Sequence, residues 1–293
     1  MISKRKKKKK TLWCRTYVTG YRFSDNAYIS PNDKKKFKII MPTRKYGYAD
    51  PFPFIYEGKH YIFVEITDKF TERGSIGVCC LEESNKVVEV IKEPFHMSYP
   101  NVFEWNGNIY MIPETFEAEE IRLYMAESFP YKWRCVSVLK KGLKVVDFSF
   151  QLIDNIIYGI AYDIGSEEWK NRFFKLNMAD KKMVELYPQQ KQFFDMRPGG
   201  NFYLNGTSQV LPLQECSRCY GEYLHFIRVK TFNDNEIDQT ELFQIKASNI
   251  KTNKLIKYDR IHTYNRVSNF ETIDLLIYQF SLKKIWLVLT KKI

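Results

Sequence analysis

The chain has 293 residues, of which 44% are hydrophobic and 16% aromatic, so it is long and apolar enough to bury a large core and is not a disordered sequence. Its formal net charge of +12 is concentrated at the two ends, because Lys4–Lys10 reads KRKKKKK and the last thirteen residues add four lysines and no acidic residue. The rest of the chain is close to neutral, which argues against a nucleic-acid reader, since a reader needs a basic face on the fold itself.

The basic run Lys4–Lys10 is the first element along the chain. Its like charges repel one another, so residues 1–10 are predicted to be a disordered tail that either aids solubility or attracts anionic lipid headgroups, at about 1 kcal/mol per residue near the surface. No apolar segment of signal-peptide length follows it, and Ile285–Leu289 (IWLVL) is too short to span a bilayer. We therefore expect a cytoplasmic protein that is peripheral at the inner face of the membrane through its basic ends.

Residues 11–293 are predicted to form a single domain built from a repeat. Four segments share an apolar run, a tight polar turn and a second apolar run, and their turns are centred on Gly58, Gly107, Asn155 and Gly206, at intervals of 49, 48 and 51 residues. Short EG, NG and DN turns between alternating runs are hairpin signals. A further pair of strand-like runs follows each hairpin, so each unit is close to four strands.

A period of this length with four antiparallel strands per unit is typical of a β-propeller. A fifth unit begins near Ile261, and Thr11–Phe23 supplies a strand that pairs with it and closes the ring. The sequence therefore predicts an all-β fold, a five-bladed β-propeller of four-stranded antiparallel blades. A six-bladed ring would be short of residues.

The six cysteines are scattered through the chain and are predicted to be reduced thiols. Cys216 and Cys219 form a lone CxxC motif with His225 nearby, whereas a zinc site needs a second pair of ligands at regular spacing. The sequence predicts neither a metal nor a cofactor.

Carboxylates recur where the repeat predicts a channel mouth. The innermost strand of each blade starts there, at Asp50, Tyr99, Asp147 and the turn around Pro198, and Glu114 and Glu215 follow second strands. Glycosyl chemistry needs two carboxyl groups that act as acid and as base or nucleophile. The candidate catalytic residues are therefore Asp50, Asp147, Glu114 and Glu215. The alternative that Asp50 and Asp147 only cap the starts of strands stays open.

Other polar side chains gather at the same strand ends, and six of them are candidate substrate-binding residues: His96, Tyr99, Arg197, Arg218, Tyr220 and His262. The planar guanidinium group of arginine suits phosphate or carboxylate groups. Two arginines and two histidines at one mouth predict an anionic ligand, such as a nucleotide-sugar or a lipid-linked sugar. A histidine taken singly is more often a partner in a structural hydrogen bond than a ligand-binding residue, and that alternative stays open for both.

The stretches YADPFPFIYEGKHYIFVEI, EPFHMSYPNVFEWNGNIYMIPET, AESFPYKWRCVSVL, RPGGNFYLNG, QECSRCYGEYLHFIRV and IHTYN resemble a known family from about Trp13 to Leu275. It is the N-terminal domain family of plant glucosamine inositolphosphorylceramide transferase, with bacterial relatives in surface-polysaccharide biosynthesis. The resemblance implies a propeller like those of arabinanases and invertases. It also implies that Asp50 is a base or nucleophile, that Asp147 orients substrate, and that Glu215 is the general acid. Phe148 stands where the family usually has proline after the aspartate.

The favoured interpretation is a propeller that binds or transfers a sugar in surface-polysaccharide or glycolipid biosynthesis, as a transferase rather than a hydrolase. The plant protein carries a separate glycosyltransferase domain, so a glycosyltransferase partner is also expected. Two alternatives stay open: a glycoside hydrolase of the arabinanase or invertase type, and a non-catalytic carbohydrate- or protein-binding propeller. No nucleic-acid partner is predicted.

Overall fold

The computed structural model describes residues 13–26, 29–281 and 290. Within these ranges the fold is all-β, with two 3-10 turns, Phe116–Ala118 and Ala247–Asn249, and no helix long and apolar enough to cross a membrane. The basic run Lys4–Lys10 and the four C-terminal lysines lie outside the described residues, so the expectations about them stay predictions.

The strands form five sheets arranged as the five blades of a propeller, as predicted. The first strands of the described chain are β1 (Trp13–Phe23) and β2 (Lys38–Ile40). Blade 1 contains β3 (Tyr46–Tyr56), β4 (Lys59–Asp68), β5 (Gly74–Cys80) and β6 (Val88–Ile91). Blade 2 contains β7 (Ser98–Trp105), β8 (Asn108–Glu114), β9 (Glu120–Ser128) and β10 (Lys132–Lys141). Blade 3 contains β11 (Val145–Ile153), β12 (Ile156–Asp163), β13 (Lys170–Asn177) and β14 (Lys182–Leu186).

Blade 4 contains β15 (Gln189–Gln190), β16 (Arg197–Pro198), β17 (Tyr203–Asn205), β18 (Ser208–Gln214), β19 (Tyr223–Phe232) and β20 (Glu236–Lys246). Its innermost strand is broken into β16 and β17, and β15 adds a parallel pairing to β20 at the outer edge. The break falls at Gly199 and Gly200. Gly200 has a φ of +148°, and a Cβ there would lie 1.9 Å from the carbonyl oxygen of Tyr264, so only glycine fits.

The ring closes in blade 5 by the predicted pairing. This blade is built from β21 (Tyr264–Val267) and β22 (Phe270–Phe280) together with β1 and β2 from the start of the chain. The antiparallel register of β1 and β22 runs unbroken from the Trp13–Phe280 pair to the Phe23–Phe270 pair. The first and last parts of the described chain therefore form one sheet.

The turns that revealed the repeat are two-residue hairpin loops. Tyr56 pairs with Lys59 and Trp105 with Asn108, so Glu57-Gly58 and Asn106-Gly107 are the loops. All four loop residues have positive φ, as a type I′ turn requires. We call the opposite face of the disc, where the innermost strands begin and the second strands end, the site face.

Polar side chains from neighbouring blades fill the channel below the site face. The Nδ2 group of Asn201 donates to Oδ1 of Asn101 at 3.1 Å, and its main-chain N–H donates to Oδ1 of Asn265 at 2.6 Å. Asn265 in turn donates from Nδ2 to the carbonyl oxygen of Pro51 at 3.0 Å. This chain of hydrogen bonds links blades 1, 2, 4 and 5 beneath the mouth.

Candidate functional site

The same backbone irregularity recurs where three innermost strands meet the site face. Asp50, Tyr99 and Asp147 have φ values of +46°, +49° and +54°, and the pairing of each strand with its neighbour skips a register at that residue. Such φ values are uncommon for residues other than glycine, and β-bulges re-aim side chains at functional sites. The bulge therefore explains why an acidic residue can stand at the start of an apolar strand. The residues on either side of the bulge stay paired with the neighbouring strand, whereas the side chains of Asp50 and Asp147 reach the mouth.

The second strands supply side chains at an equivalent position. Glu65 pairs with Ala49 and Glu114 with Ser98, in each case the residue just before the bulge. Gln214 ends the second strand of blade 4, and Asp274 lies beside Thr263 in blade 5. Because antiparallel partners share a face, these polar groups reach the same mouth as the bulged residues.

Asp147 is at the centre of one half of the site. Its carboxylate forms an ion pair with the Arg197 guanidinium and accepts a 3.0 Å hydrogen bond from Nε2 of Gln214. Its main-chain N–H donates to Oε2 of Glu114 at 3.0 Å, and that oxygen lies 3.8 Å from Nη2 of Arg197. The Ser98 hydroxyl donates to the other Glu114 oxygen at 2.9 Å. Blades 2, 3 and 4 thus share one hydrogen-bonded cluster.

His262 organises the other half. Its Nδ1 lies 2.6 Å from Oδ2 of Asp274 and its Nε2 lies 3.4 Å from Oδ1 of Asp50. The Thr263 hydroxyl donates to Asp50 Oδ1 at 2.6 Å, and the Asp50 main-chain N–H donates to Asp274 Oδ2 at 3.1 Å. The imidazole therefore sits between two buried carboxylates of blades 1 and 5.

Burial and the charges of neighbouring groups give these side chains pKa values that differ from one another and from their usual values. Burial raises the pKa of Asp50 to about 6, with the His262 cation acting against it and the Asp147 and Asp274 charges adding to it. Burial and the charge of Asp147 raise the pKa of Glu114 to about 8 against the opposing effect of Arg197. Burial and Asp50 hold the pKa of Glu65 well above its usual value. Burial lowers the pKa of His262, but Asp274 and Asp50 outweigh it and bring the value to about 9.

At neutral pH the site therefore holds a protonated carboxyl at Glu114, an ionised carboxylate at Asp50 and an imidazolium at His262. A pair of carboxyl groups whose pKa values lie on opposite sides of neutrality is the signature of an acid and a base that work together.

Among the described residues, one group of side chains is close enough to share a metal ion, and it consists of Asp50, His262 and Asp274. Each offers one ligand atom, and the three atoms lie within 4.8 Å of one another. A metal would require a neutral imidazole. Both Asp274 oxygens already accept main-chain N–H bonds, from Asp50 to one and from His262 and Thr263 to the other. The contacts are those of an imidazolium held by two carboxylates, and we assign no metal.

Arg197 and Tyr220 form the outer layer over the carboxyl groups. The guanidinium carbon of Arg197 lies 4.9 Å from the centre of the Tyr220 ring, and that ring meets the His262 ring edge-on at 5.1 Å. Tyr17 stacks on His262 at 4.3 Å. Asp50, Glu114 and Asp147 are buried, whereas the Arg197 side chain is 20% exposed and Tyr220 is 40% exposed. An incoming ligand meets the arginine and the tyrosine first.

The structure brings together most of the residues that the sequence singled out. Asp50, Asp147, Glu114, Arg197 and His262 form the cluster, with Tyr220 above it. Tyr99 lies deeper and is fully buried. Its hydroxyl contacts Ser149 Oγ at 2.8 Å and accepts a bond from the Gly200 N–H at 2.7 Å.

Three predicted residues lie outside the cluster. Glu215 turns away from the mouth and contacts Nε2 of His225 at 3.3 Å, while the Arg218 side chain is 78% exposed and pairs with Glu222. His96 sits behind the site, where its Nδ1 accepts the Gly74 N–H and its Nε2 lies 3.4 Å from Glu65. The sequence predicts Glu215 at the mouth, but β18 ends one residue earlier and Gln214 takes the inward position.

Sequence reasoning missed Glu65, Gln214 and Asp274. Each lies on a second strand near the position that Glu114 holds in blade 2, so an alignment of second strands as well as first strands would have found them. Their polar side chains in otherwise apolar runs were the available signal.

The comparisons with known sequences agree with this architecture. The sequence pattern of the family described as "Glucosamine inositolphosphorylceramide transferase 1, N-terminal" matches residues 43–273. The chain belongs to this family. It is 27% identical over 220 residues to glucosamine inositolphosphorylceramide transferase 1 of Arabidopsis thaliana and 27% identical over 201 residues to that of Oryza sativa subsp. japonica. The matches cover 68% and 64% of this chain, which spans only about a quarter of each relative, 28% and 27%.

Solved structures similar to this family member are propeller glycoside hydrolases. An α-L-arabinofuranosidase from Podospora anserina, in complex with cellotriose, superposes with a TM-score of 0.59 at 9% identity and covers 91% of this chain and 97% of its own. A family 62 α-L-arabinofuranosidase catalytic domain from Coprinopsis cinerea gives 0.58 at 10% identity, with 90% and 98% covered. At such low identity these likenesses establish the fold alone.

Proposed function

We propose that this propeller binds an activated, anionic sugar and transfers it during glycolipid or surface-polysaccharide biosynthesis. The observation that carries the proposal is the convergence of Asp50, Glu65, Glu114 and Asp147 from three blades on one mouth, beside the cations Arg197 and His262. Membership of a family described by a sugar-transferring enzyme supports it.

The geometry favours distinct roles for the carboxyl groups. Asp50, ionised above about pH 6, serves as base or nucleophile, and Glu114, protonated below about pH 8, serves as the acid. Asp147 holds Arg197 in place, and its N–H bond to Glu114 fixes the orientation of the acid. The equivalent position in blade 4 is held by Gln214, whose amide cannot act as an acid. The acid in this proposal is therefore Glu114 of blade 2.

The outer layer fits an anionic sugar. Arg197 offers charge-assisted hydrogen bonds to a phosphate or carboxylate, and the exposed face of Tyr220 offers a stacking surface for a sugar ring. Because both residues cover the buried carboxyl groups, the loop that carries Tyr220 must shift when a sugar reaches Asp50.

The test is turnover by the full chain with a panel of UDP- and GDP-sugars, with and without phosphatidylinositol vesicles, followed by mass spectrometry of released nucleotide and new glycolipid. We expect Asp50→Asn and Glu114→Gln each to lower turnover by at least about 100-fold, the usual size of an acid–base contribution. The matched control is Glu215→Gln, a carboxylate of the same region outside the cluster, which is expected to stay within about twofold of the wild type.

Other outcomes would replace the proposal. Cleavage of 4-nitrophenyl glycosides, including the α-L-arabinofuranoside, without nucleotide-sugar turnover would assign a hydrolase. Saturable sugar binding that Arg197→Met abolishes, with no turnover of any substrate, would assign a binding module that serves a partner enzyme.

A further inference from the structure

A second feature of the site face lies on the seam between blades 5 and 1. Strands β1 and β22 continue past the level of the carboxyl groups, since Phe280 lies six residues beyond Asp274 along β22. At about 3.4 Å per residue, the end of this two-stranded ribbon is roughly 20 Å from Asp274 along the strand. The ribbon therefore forms a raised wall beside the mouth.

The end of the ribbon exposes aromatic side chains. Trp13 pairs with Phe280 and Arg15 with Tyr278. Their rings are substantially exposed, at 50% for Trp13, 53% for Phe280 and 46% for Tyr278. The Trp13 and Phe280 rings contact each other edge-on at 5.6 Å. Exposed Trp, Tyr and Phe clustered at one protruding end form the kind of surface that partitions into the interface of a bilayer.

A cleft of about 870 Å³ lies between this ribbon and the edge of blade 1. The residues that matter for its chemistry are three cations and three flanking side chains: Arg44, Lys45, Lys69, Phe70, Gln279 and Phe280. Arg44 and Lys45 precede the start of β3, and Lys69 and Phe70 follow the end of β4, so the cleft opens on the site face.

Lys69 is a half-buried ammonium group without an anionic partner among the described residues. Its Nζ donates to the carbonyl oxygen of Thr43 at 2.5 Å and to Oε1 of Gln279 at 2.6 Å, both of which are neutral. Burial lowers its pKa, against a smaller opposing effect of Cys14. The neighbouring Lys45 side chain is 54% exposed, and its Nζ forms a long ion pair of 3.6 Å with Oδ2 of Asp68. Arg44 is exposed. Of the three cations of the cleft, only Lys45 has a carboxylate beside it among these contacts, so the cleft keeps a net positive charge.

Both basic ends of the sequence are close to this ribbon along the chain. Lys10 is three residues before Trp13 and Lys283 is two residues after Ser281, so neither is more than about 11 Å of chain from the ribbon. The cations of the cleft and the aromatic end therefore lie on one edge of the site face, and the sequence has basic residues within a few positions of both strands of the ribbon.

We propose that this edge docks on an anionic phospholipid bilayer, with a lipid phosphate in the Arg44–Lys45–Lys69 cleft and the aromatic end of the β1–β22 ribbon at the level of the headgroups. Docking in this way points the carboxylate mouth at the membrane. The inference goes beyond the proposed function and is tested without any sugar, so the two stand or fall separately.

The experiment is co-sedimentation of the full chain with vesicles of phosphatidylcholine alone or with 30% phosphatidylglycerol, at a fixed ionic strength. The test variant is Arg44→Glu/Lys45→Glu. Its matched control is Lys181→Glu/Lys182→Glu, two exposed lysines at the turn between β13 and β14 on the opposite face, which changes the net charge by the same amount. Unchanged melting temperatures show that both variants are folded.

A basic residue near an anionic surface is worth roughly fivefold in affinity. We therefore expect the cleft variant to need at least about tenfold more anionic lipid for half-maximal binding, and the control to stay within about twofold of the wild type. Equal losses in the two variants, or no loss in either, would overturn the proposal. Binding of 10 mM inorganic phosphate by the wild type but not by the cleft variant, with equal vesicle binding by the two proteins, would assign the cleft to free phosphate and also overturn the proposal.

Discussion

Glu114 lies in an environment that differs strongly from that of a carboxyl group in water. It is buried, its oxygens accept bonds from Ser98 and from the main chain of Asp147, and Arg197 lies 3.8 Å away. Burial and Asp147 prevail over Arg197 and raise its pKa from 4.5 to about 8. The group therefore holds a proton in the folded protein at pH values where the unfolded chain has released it.

This shift predicts the direction in which stability changes with pH. Because the folded pKa of Glu114 is raised, its contribution to stability is complete below about 4.5 and is lost as pH rises to about 8. The loss is up to about 1.4 kcal/mol per pH unit. In Glu114→Gln, the Ser98 hydroxyl can accept from the new amide while the amide oxygen accepts the Asp147 N–H, so the contacts are kept and the titration is removed.

We expect the free energy of unfolding of the wild type, measured with urea at pH 6, 7 and 8, to fall more steeply than that of Glu114→Gln. His262 contributes a fall of the same sign in both proteins, since its pKa is raised from 6.5 to about 9. Glu215→Gln is the control, because the pKa of Glu215 is lowered and its titration lies below this range. Parallel curves for wild type and Glu114→Gln would show that Glu114 is ionised throughout.

At the scale of the strand, the broken innermost strand of blade 4 positions part of the site. Gly200 donates its N–H to the Tyr99 hydroxyl, and its carbonyl oxygen accepts a 2.8 Å bond from Ser149, so the break joins blades 2, 3 and 4. The adjoining β16 carries Arg197. A side chain at this position would collide with the backbone of Tyr264.

Gly200→Ala is therefore expected to lower the free energy of unfolding by about 3 kcal/mol or more, because the new Cβ meets main-chain atoms that have no room to move. Gly206→Ala is the matched control in the same blade. Its φ is +60° and no heavy atom lies within 4 Å of the added Cβ, so we expect a cost of only about 1 kcal/mol. Urea denaturation of both variants measures the difference, and similar losses would show that the break in the strand tolerates a side chain.

The whole molecule depends on closure between the two ends of the described chain. β1 pairs with β22 along the whole length of that strand, which carries the buried side chains of Leu275 and Ile277. A chain that begins at Ser24 is expected to aggregate or to lose cooperative unfolding, since blade 5 would keep an exposed apolar edge.

A chain that begins at Thr11 keeps β1 and is expected to melt within about 2 °C of the full chain, because only the basic run is removed. Its binding to anionic vesicles should weaken, and the difference should shrink as salt rises, since the screening length is about 8 Å at physiological ionic strength. Thermal scans and co-sedimentation of the two truncated chains provide the measurement. Cooperative melting of the chain from Ser24, or vesicle binding by the chain from Thr11 equal to that of the full chain, would contradict these expectations.

Much of the fold could be predicted from the sequence because each propeller blade is formed by strands that follow one another along the chain. Each of the first four blades has a two-residue hairpin loop that contains one of the turn residues Gly58, Gly107, Asn155 and Gly206. The interval between these residues is the length of one blade. Closure by Trp13–Phe23 was also predictable, because a fifth unit with too few strands needs a partner from the other end. The fifth hairpin, at Ser268-Asn269, lacks glycine and was a weaker signal.

The sequence by itself determined the number of blades, the strand starts at Asp50, Tyr99 and Asp147, and the basic ends, because hydrophobic alternation, turn chemistry and charge are properties of neighbours along the chain. Only the tertiary structure decided which side chains meet. His262 and Asp274 reach Asp50 across more than two hundred residues, and Gln214 rather than Glu215 faces the mouth because β18 ends one residue sooner. A shift of one residue turns a strand side chain to the opposite face, and only the pairing of the strands in space fixes that register.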